Sequence, residues 1–590
     1  MSMGEKVKGG AFLLGPVSPE QVFTPEEFTE EHKMIAKTAF DFTAKEVEPR
    51  VEELEKLNPE LMSSLLKQAG ELGLLAADIP EEYDGAGLDK ISSMLIAENL
   101  TRGGSFGLAH GAHTGIGSLP IVLFGNADQK KRYLPALASG EKIAAYCLTE
   151  PTSGSDALGA KTRADLSADG KYYILNGTKQ FITNAGMADV FVVYAKVDGD
   201  KFTAFIVDRE TEGLSLGPEE KKMGIKGSTT RQVILENAKV PVENVLGEIG
   251  KGHVIAFNIL NIGRYKLAVG CLGAAKHAIE LAAKYSLERK QFGKPIASFG
   301  MIREKLARMA TSIYVTESMV YRTGGLIDAA LAEIDHHAED AGPRIGRAIE
   351  EYALECSINK VFASEALDFV ADEAVQIHGG YGYISEYPVE RIYRDSRINR
   401  IFEGTNEINR LIIPGMLMRK AMKNELPFLQ GAQALQKELL QPLTPVSDEP
   451  VTREAQLVER AKKIFLLTAG SAVQKLGQKL QDEQEVLARI ADLVIEIFAM
   501  ESAVLRTIKK VQAKDLYADL AVAMTSFYCF DAFRRVEGYA REVLLAIEKG
   551  DVLATQLSAL KKLARPPFVD WLGLTRTIAA KVLDFQGYKI

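Results

Sequence analysis

The sequence predicts an α+β multidomain chain: an N-terminal helical domain, a central β-barrel, a helical bundle and an extra C-terminal helical domain. Three observations carry this prediction. At 590 residues the chain exceeds one hydrophobic core, since domains run about 50–250 residues. Helical patterning gives way at about residue 146 to short β-rich runs and resumes after Gly252. A proline-rich segment, Gln441-Pro442-Leu443-Thr444-Pro445-Val446-Ser447-Asp448-Glu449-Pro450, then divides the helical remainder in two. The expected organisation is an arm at 1–24, a helical domain at 25–145, a barrel at 146–252, a bundle at 253–425, a linker at 426–451 and an extension at 452–590.

Each element has a local reason. Thr24 caps, Pro25 suits the first helical position and Glu27 completes a capping box, which predicts the first helix start there. Asn58-Pro59-Glu60 repeats the device for a second helix, and DGAG from Asp84 and RGGSFG from Arg102 break the pattern as turns. In the barrel region, Tyr172–Leu175, Val190–Tyr194, Phe202–Val207 and Val233–Leu235 read as strands separated by turn clusters. Farther on, Ala268, Cys271, Leu272, Ala275, Ala278, Ile279 and Ala282 form a stripe of period 3.6 whose small side chains suit close helix packing. LARMATSIYVTESMVYRT from Leu306 is echoed, with three extra residues, by LARIADLVIEIFAMESAVLRT from Leu487, so the extension reads as a degenerate second copy of bundle helices.

Composition narrows the function classes. Seventy-one Lys+Arg against 79 Asp+Glu give a net charge of −8, which disfavours nucleic acid as a partner. The four cysteines, Cys147, Cys271, Cys356 and Cys529, stand singly and support neither a disulfide framework nor a zinc site, so no metal is expected. The apolar patch Ala11–Leu14 is too short for a signal peptide, and no run approaches the ~20 residues of a membrane span. A soluble cytoplasmic protein is expected. Nucleotide-binding glycine signatures, H-E-x-x-H and G-x-S-x-G are absent, and His336-His337 reads as a solvated helix end.

Three dense segments remain: YCLTEPTSGSDALGAKTRA from Tyr146, QIHGGYGYISEYPVERIYRD from Gln376, and IFEGTNEINRL from Ile401. The first offers hydroxyls and open backbone N–H groups suited to a polar ring edge or a pyrophosphate. Glu403, between Phe402 and Gly404, reads on its own as an exposed carboxylate at a helix start. Their co-occurrence points elsewhere. YCLTEPTSGSD, FITNAG from Phe181, ERKQFGKPI from Glu288, QIHGGYGY and RIFEGTNEI, with IPEEYDGAGL and KMGIKGSTT in support, resemble acyl-CoA dehydrogenase motifs in order and at family spacing over about residues 30–420. The longer tail is similar to that of the family's very-long-chain branch.

The resemblance implies FAD-dependent α,β-dehydrogenation of a fatty acyl-CoA, of long chain by analogy with that branch, to the trans-2-enoyl-CoA. Glu403 matches the catalytic base, and desolvation beside Phe402 would strengthen it. Some branches carry the base on another helix, at the position of Gly263, which cannot serve. For FAD the resemblance carries over Tyr146, Leu148, Thr149, Gly154, Ser155, Phe181 and Thr183 around the ring. Arg289, Phe292, Gln376 and Gly380 would reach the FAD of a neighbouring subunit, and Thr405 and Glu407 the adenosine end. Where many relatives carry Gln, this chain has Gly300, so one amide contact is missing. Ser155, Asn261, Arg264 and Gly404 are the expected acyl-CoA residues, with Arg264 alternatively a structural ion-pair member. Electron-transfer flavoprotein as acceptor and a homodimer follow by analogy. The alternatives are an acyl-CoA oxidase using O2 and a non-catalytic assembly or scaffold relative. Residues 425–440 are either an amphipathic helix for membrane association or a connector packed on the bundle.

Overall fold

The computed structural model describes residues 7–335, 338, 340–565 and 567–590. The first six residues of the arm and the His336-His337 pair lie outside the described residues.

The N-terminal helical domain is built on α1 (Glu30–Phe42), α2 (Pro59–Glu71), α3 (Lys90–Leu100), α4 (Ser105–Gly111), α5 (Leu119–Phe124) and α6 (Ala127–Ser139). The Thr24 capping box forms, with the Thr24 N–H donating to Glu27 Oε2 at 2.8 Å, but it closes only a single 3-10 turn. Phe28 is extended there, and helix α1 begins after a second cap, at which Thr29 Oγ1 accepts from the His32 N–H. Asn58 caps α2 as its sequence predicts, accepting from the Leu61 N–H at 3.0 Å.

The middle domain is an eight-stranded sheet: β1 (Ala144–Cys147), β2 (Arg163–Leu166), β3 (Tyr172–Thr183), β4 (Val190–Val197), β5 (Lys201–Asp208), β6 (Leu214–Glu219), β7 (Thr230–Pro241) and β8 (Val245–Leu246). The order is β6-β7-β3-β2-β4-β5-β8, with β1 joined in parallel to β4. Phe191, Val193 and Ala195 of β4 fill the barrel interior, while Val190, Val192 and Tyr194 pack against the helices. A strand covered on both faces has no polar side, which explains its continuous apolar run.

The bundle comprises α7 (Gly252–Glu288), α8 (Gly300–Leu331), α9 (Ala341–Glu351), α10 (Ala353–His378), α11 (Pro388–Ser396) and α12 (Asn406–Met422). Helices α7 and α10 make the most extensive contact of the bundle, through the small-residue stripe of α7, and all seven stripe residues are buried. Within 426–451 the chain forms α13 (Phe428–Glu438) before the proline-rich stretch. Helix α13 packs on the extension through Phe428 against Phe465 and an ion pair of Glu438 with Lys463 at 2.5 Å, leaving Leu429 and Leu440 exposed.

The extension contains α14 (Thr452–Leu476), α15 (Gln484–Gln512), α16 (Ala518–Ile547), α17 (Gly550–Leu563) and α18 (Trp571–Phe585). Helices α8 and α15, the two halves of the sequence echo, pack on each other. Their equivalent residues exchange ion pairs: Arg322 with Glu501 and Arg506 with Glu317, each at 2.7 Å. Glu317 aligns with Glu501 and Arg322 with Arg506 in the echo, so the contact has the reciprocity of a two-fold interface made within one chain. Among the described residues no helix is long and apolar enough to cross a membrane.

Candidate active site

The loop between α11 and α12 holds Glu403 and Gly404 in left-handed backbone conformations, φ +58° and +78°. A non-glycine residue there costs on the order of 1–3 kcal/mol and persists only where its surroundings fix it. Here they do. Arg264 on α7 donates Nε to the Glu403 carbonyl at 3.2 Å, and Asn409 donates Nδ2 to the carbonyls of Gly404 (2.9 Å) and Thr405 (3.0 Å). Thr405 caps α12, accepting from the Ile408 N–H at 3.2 Å.

The Glu403 carboxylate points back toward α7. A Cβ on Gly263 would lie 2.6 Å from its Oε2, so the glycine is required by the close approach of the carboxylate. Oε2 is shut off from solvent and has no hydrogen-bond partner. Burial raises the Glu403 pKa to about 7, against the opposing pull of Arg264 and Lys360. The N–H of Glu403 has no acceptor among the described residues.

Glu403 and Gly263 line a cavity of about 210 Å³ together with residues of α3, α4, α7 and α11. Its α7 wall runs through Gly263, Lys266, Leu267, Gly270, Ala274 and His277. Fourteen residues of helix separate the ends of that wall, about 21 Å at 1.5 Å each. Glycines at 104, 107, 111 and 115 form much of the opposite side. Small residues recurring on two facing helices keep the channel open.

Beside Glu403 lies the barrel wall. Thr183 lines the cavity, and Gln180 donates its N–H to the Thr149 carbonyl at 2.8 Å, which joins the Tyr146–Ser155 segment to β3. Leu148 is buried, Tyr146 and Thr149 are half-buried, and Gly154 and Ser155 are exposed. Phe181, at φ +58°, leaves 62% of its surface open, an unusual display for an aromatic ring on a strand. An exposed ring and hydroxyls beside open backbone N–H groups fit a planar, polar-edged heteroaromatic group such as a flavin.

The other sequence-predicted residues are distributed differently. Arg289 and the 376–383 segment come together, with the Arg289 guanidinium over the Tyr381 ring at 5.3 Å. Phe292 is 92% exposed, and Gln376 and Gly380 are exposed as well. None of Arg289, Phe292, Gln376 or Gly380 lines the Glu403 cavity, and all four are exposed outside it. Glu407 is exposed on the first turn of α12. Asn261 and Arg264 are buried and bond each other, Arg264 Nη1 to Asn261 Oδ1 at 2.9 Å.

Two buried cations of the site escaped the motif-based reading. Lys179 on β3 is fully buried and donates to Glu150 Oε1 at 2.7 Å; Glu150 also accepts the N–H groups of Lys161 (2.6 Å) and Thr162 (3.1 Å). This knot ties the 146–155 loop to β3. Lys360 on α10, also fully buried, donates to Asn406 Oδ1 at 2.7 Å, and burial lowers its pKa to about 8. The local sequence carried little signal, since polar residues flank both lysines in YYILNGTKQF and CSINKVF.

The frame and the site define the class: a flavin-dependent oxidoreductase. Family models for the acyl-CoA dehydrogenase N-terminal, middle and C-terminal domains match residues 29–141, 145–238 and 250–417, and a further acyl-CoA dehydrogenase C-terminal domain model matches 460–562. A probable acyl-CoA dehydrogenase of Bacillus subtilis is 57% identical over 586 residues, covering 99% of this chain and 98% of its own. The human mitochondrial very long-chain specific acyl-CoA dehydrogenase is 36% identical over 567 residues, covering 89% and 82%. The crystal structure of an acyl-CoA dehydrogenase complexed with FAD from Bacillus anthracis superposes with a TM-score of 0.97 at 58% identity, over 99% of this chain and 100% of that one. The chain belongs to the acyl-CoA dehydrogenase family, and it is an FAD-dependent enzyme of that family.

Proposed function

We propose that the protein oxidises long-chain fatty acyl-CoA to trans-2-enoyl-CoA in fatty acid β-oxidation, with Glu403 as the base that removes the α-proton. One observation carries this reading: the Glu403 carboxylate, its Oε2 buried and unpartnered, lines a largely apolar cavity whose α7 wall spans about 21 Å of helix. At about 1.25 Å of advance per carbon, that length suits an acyl chain of roughly sixteen carbons.

Burial makes Glu403 a stronger base than a solvated carboxylate. The free N–H of Glu403 is a donor for the thioester oxygen, where a preorganised donor is worth about 10²–10³ in rate. Gly263 leaves the carboxylate room, and Arg264, Asn261 and Asn409 hold its loop in the left-handed conformation. Bound FAD supplies acceptance of the hydride from Cβ. Tyr146, Leu148, Thr149, Gly154, Ser155, Phe181 and Thr183 would hold its ring, and Thr405 and Glu407 its adenosine end. Arg289, Phe292, Gln376 and Gly380, exposed outside the Glu403 cavity, would reach the FAD of a second copy in a homodimer. Ser155 and Gly404 would flank the thioester and pantetheine, and electron-transfer flavoprotein would take the electrons.

The test is anaerobic flavin bleaching across acyl-CoA lengths, followed by air. A rate maximum near palmitoyl-CoA with slow reoxidation supports the proposal. Rapid reoxidation with stoichiometric peroxide assigns an oxidase instead, and a protein that binds FAD but bleaches with no acyl-CoA is a scaffold.

A further inference from the structure

The extension is tied to the bundle at several points, and one of them leads toward Glu403. Asn406, the first residue of α12, is buried three positions beyond the candidate base. Its Oδ1 accepts from Lys360, and its Nδ2 donates to Ser364 Oγ (3.1 Å) and Glu365 Oε1 (3.0 Å). Glu365 is gripped by both terminal nitrogens of Arg410, at 2.7 and 3.0 Å. The remaining Arg410 nitrogen, Nε, donates to Asp492 Oδ1 at 2.8 Å, on helix α15 of the extension. An unbroken line of hydrogen bonds therefore runs from the extension through Arg410 and Glu365 to Asn406.

We propose that the extension takes part in the reaction, with Asp492 a positioning residue for Glu403 that acts through Arg410, Glu365 and Asn406. The inference rests on the reading of Glu403 as base. Glu403 and Gly404 hold left-handed conformations that their surroundings must enforce, and the line from Asp492 fixes the helix turn that follows them. Plain attachment of the extension is served by other pairs, Arg322 with Glu501 and Arg506 with Glu317. The Asp492 carboxylate is nearly buried, and its Oδ1 meets an arginine on the helix that Glu403 precedes. A bidentate Arg–carboxylate pair fixes direction as well as distance, so displacement of Arg410 turns Glu365 and with it the Asn406 amide.

The test uses full-length protein carrying Asp492→Asn, Asp492→Glu or Arg535→Gln. Arg535 pairs with Glu496 inside the extension and serves as a control for general loosening of that domain. Amide hydrogen exchange of residues 403–406 is measured in the apoprotein, and kcat and KM in the FAD-loaded enzyme. Asp492→Asn is expected to speed exchange at 403–406 and to lower kcat, each about tenfold, with KM within about twofold. Asp492→Glu restores most of both, and Arg535→Gln changes neither. Wild-type exchange and kcat in Asp492→Asn, or the same changes in Arg535→Gln, would overturn the inference. Failure of the wild-type enzyme to turn over any acyl-CoA counts against Glu403 as base instead, and the exchange result then stands as the separate test of the line itself.

Discussion

Filling the channel at a known depth tests its reading as the acyl site. Gly270 lies seven residues along α7 from Gly263, about 10 Å down the channel, and Ala274 lies eleven residues along, about 16 Å. At about 1.25 Å per carbon these depths correspond to roughly eight and thirteen carbons. Gly270→Leu therefore expels about eight methylenes of a palmitoyl chain. At ~0.8 kcal/mol each, the ceiling on lost binding is about 6 kcal/mol. A third of that, about 2 kcal/mol, already lowers kcat/KM for palmitoyl-CoA some thirtyfold. Octanoyl-CoA ends at the block and should stay within about threefold of wild type, while Ala274→Leu should spare dodecanoyl-CoA and penalise palmitoyl-CoA. A Cβ at Gly270 meets Thr101 Cγ2 at 3.2 Å, a methyl that must yield slightly, so thermal melts accompany the kinetics. The assay is stopped-flow flavin bleaching with acyl-CoAs of four to eighteen carbons. Equal losses at every length, or palmitoyl-CoA turned over normally by a stable Gly270→Leu enzyme, would refute the reasoning.

Four further predictions concern the Glu403 carboxylate and the buried Lys179–Glu150 pair. Glu403→Gln should lower the bleaching rate by about 10²–10⁴ while FAD stays bound, and full turnover in this variant would sink the assignment. The base must be ionised, so kcat/KM of wild type should climb through a limb at about pH 7. Between the ordinary carboxyl pKa and 7 the folded protein binds more protons than the unfolded chain, so this group's contribution to stability falls as pH rises. The shift amounts to about 3 kcal/mol, and apo Glu403→Gln should melt above wild type at pH 8 and alongside it at pH 4.5, as read by calorimetry. Lys179→Met strands the buried Glu150 carboxylate and should cost about 3–5 kcal/mol in chemical denaturation and weaken FAD binding; Lys179→Met with Glu150→Gln should recover much of the stability.

What the chain's letters determined is the succession of textures and the motif-bearing segments. A 3.6 period of small residues from Ala268 to Ala282 marks the buried face of a helix, and β-branched runs bounded by turn residues mark strands, because both signals arise within a few residues of one another. Glu403, Phe181 and the 149–155 segment stood out only through the resemblance of their motifs to a family, since Glu403 by itself reads as an exposed carboxylate at a helix start. Tertiary structure decided the rest. It set Gly263 against Glu403 across 140 positions, turned Lys179 and Lys360 inward onto partners in other segments, and assigned Arg264 to the Glu403 carbonyl. The Thr24 box shows the same limit at short range, since it forms as written yet ends after one turn when Phe28 extends. A pKa of about 7 cannot be read from one glutamate in a sequence. It comes from the water that packing removes and from charges that only the fold brings near.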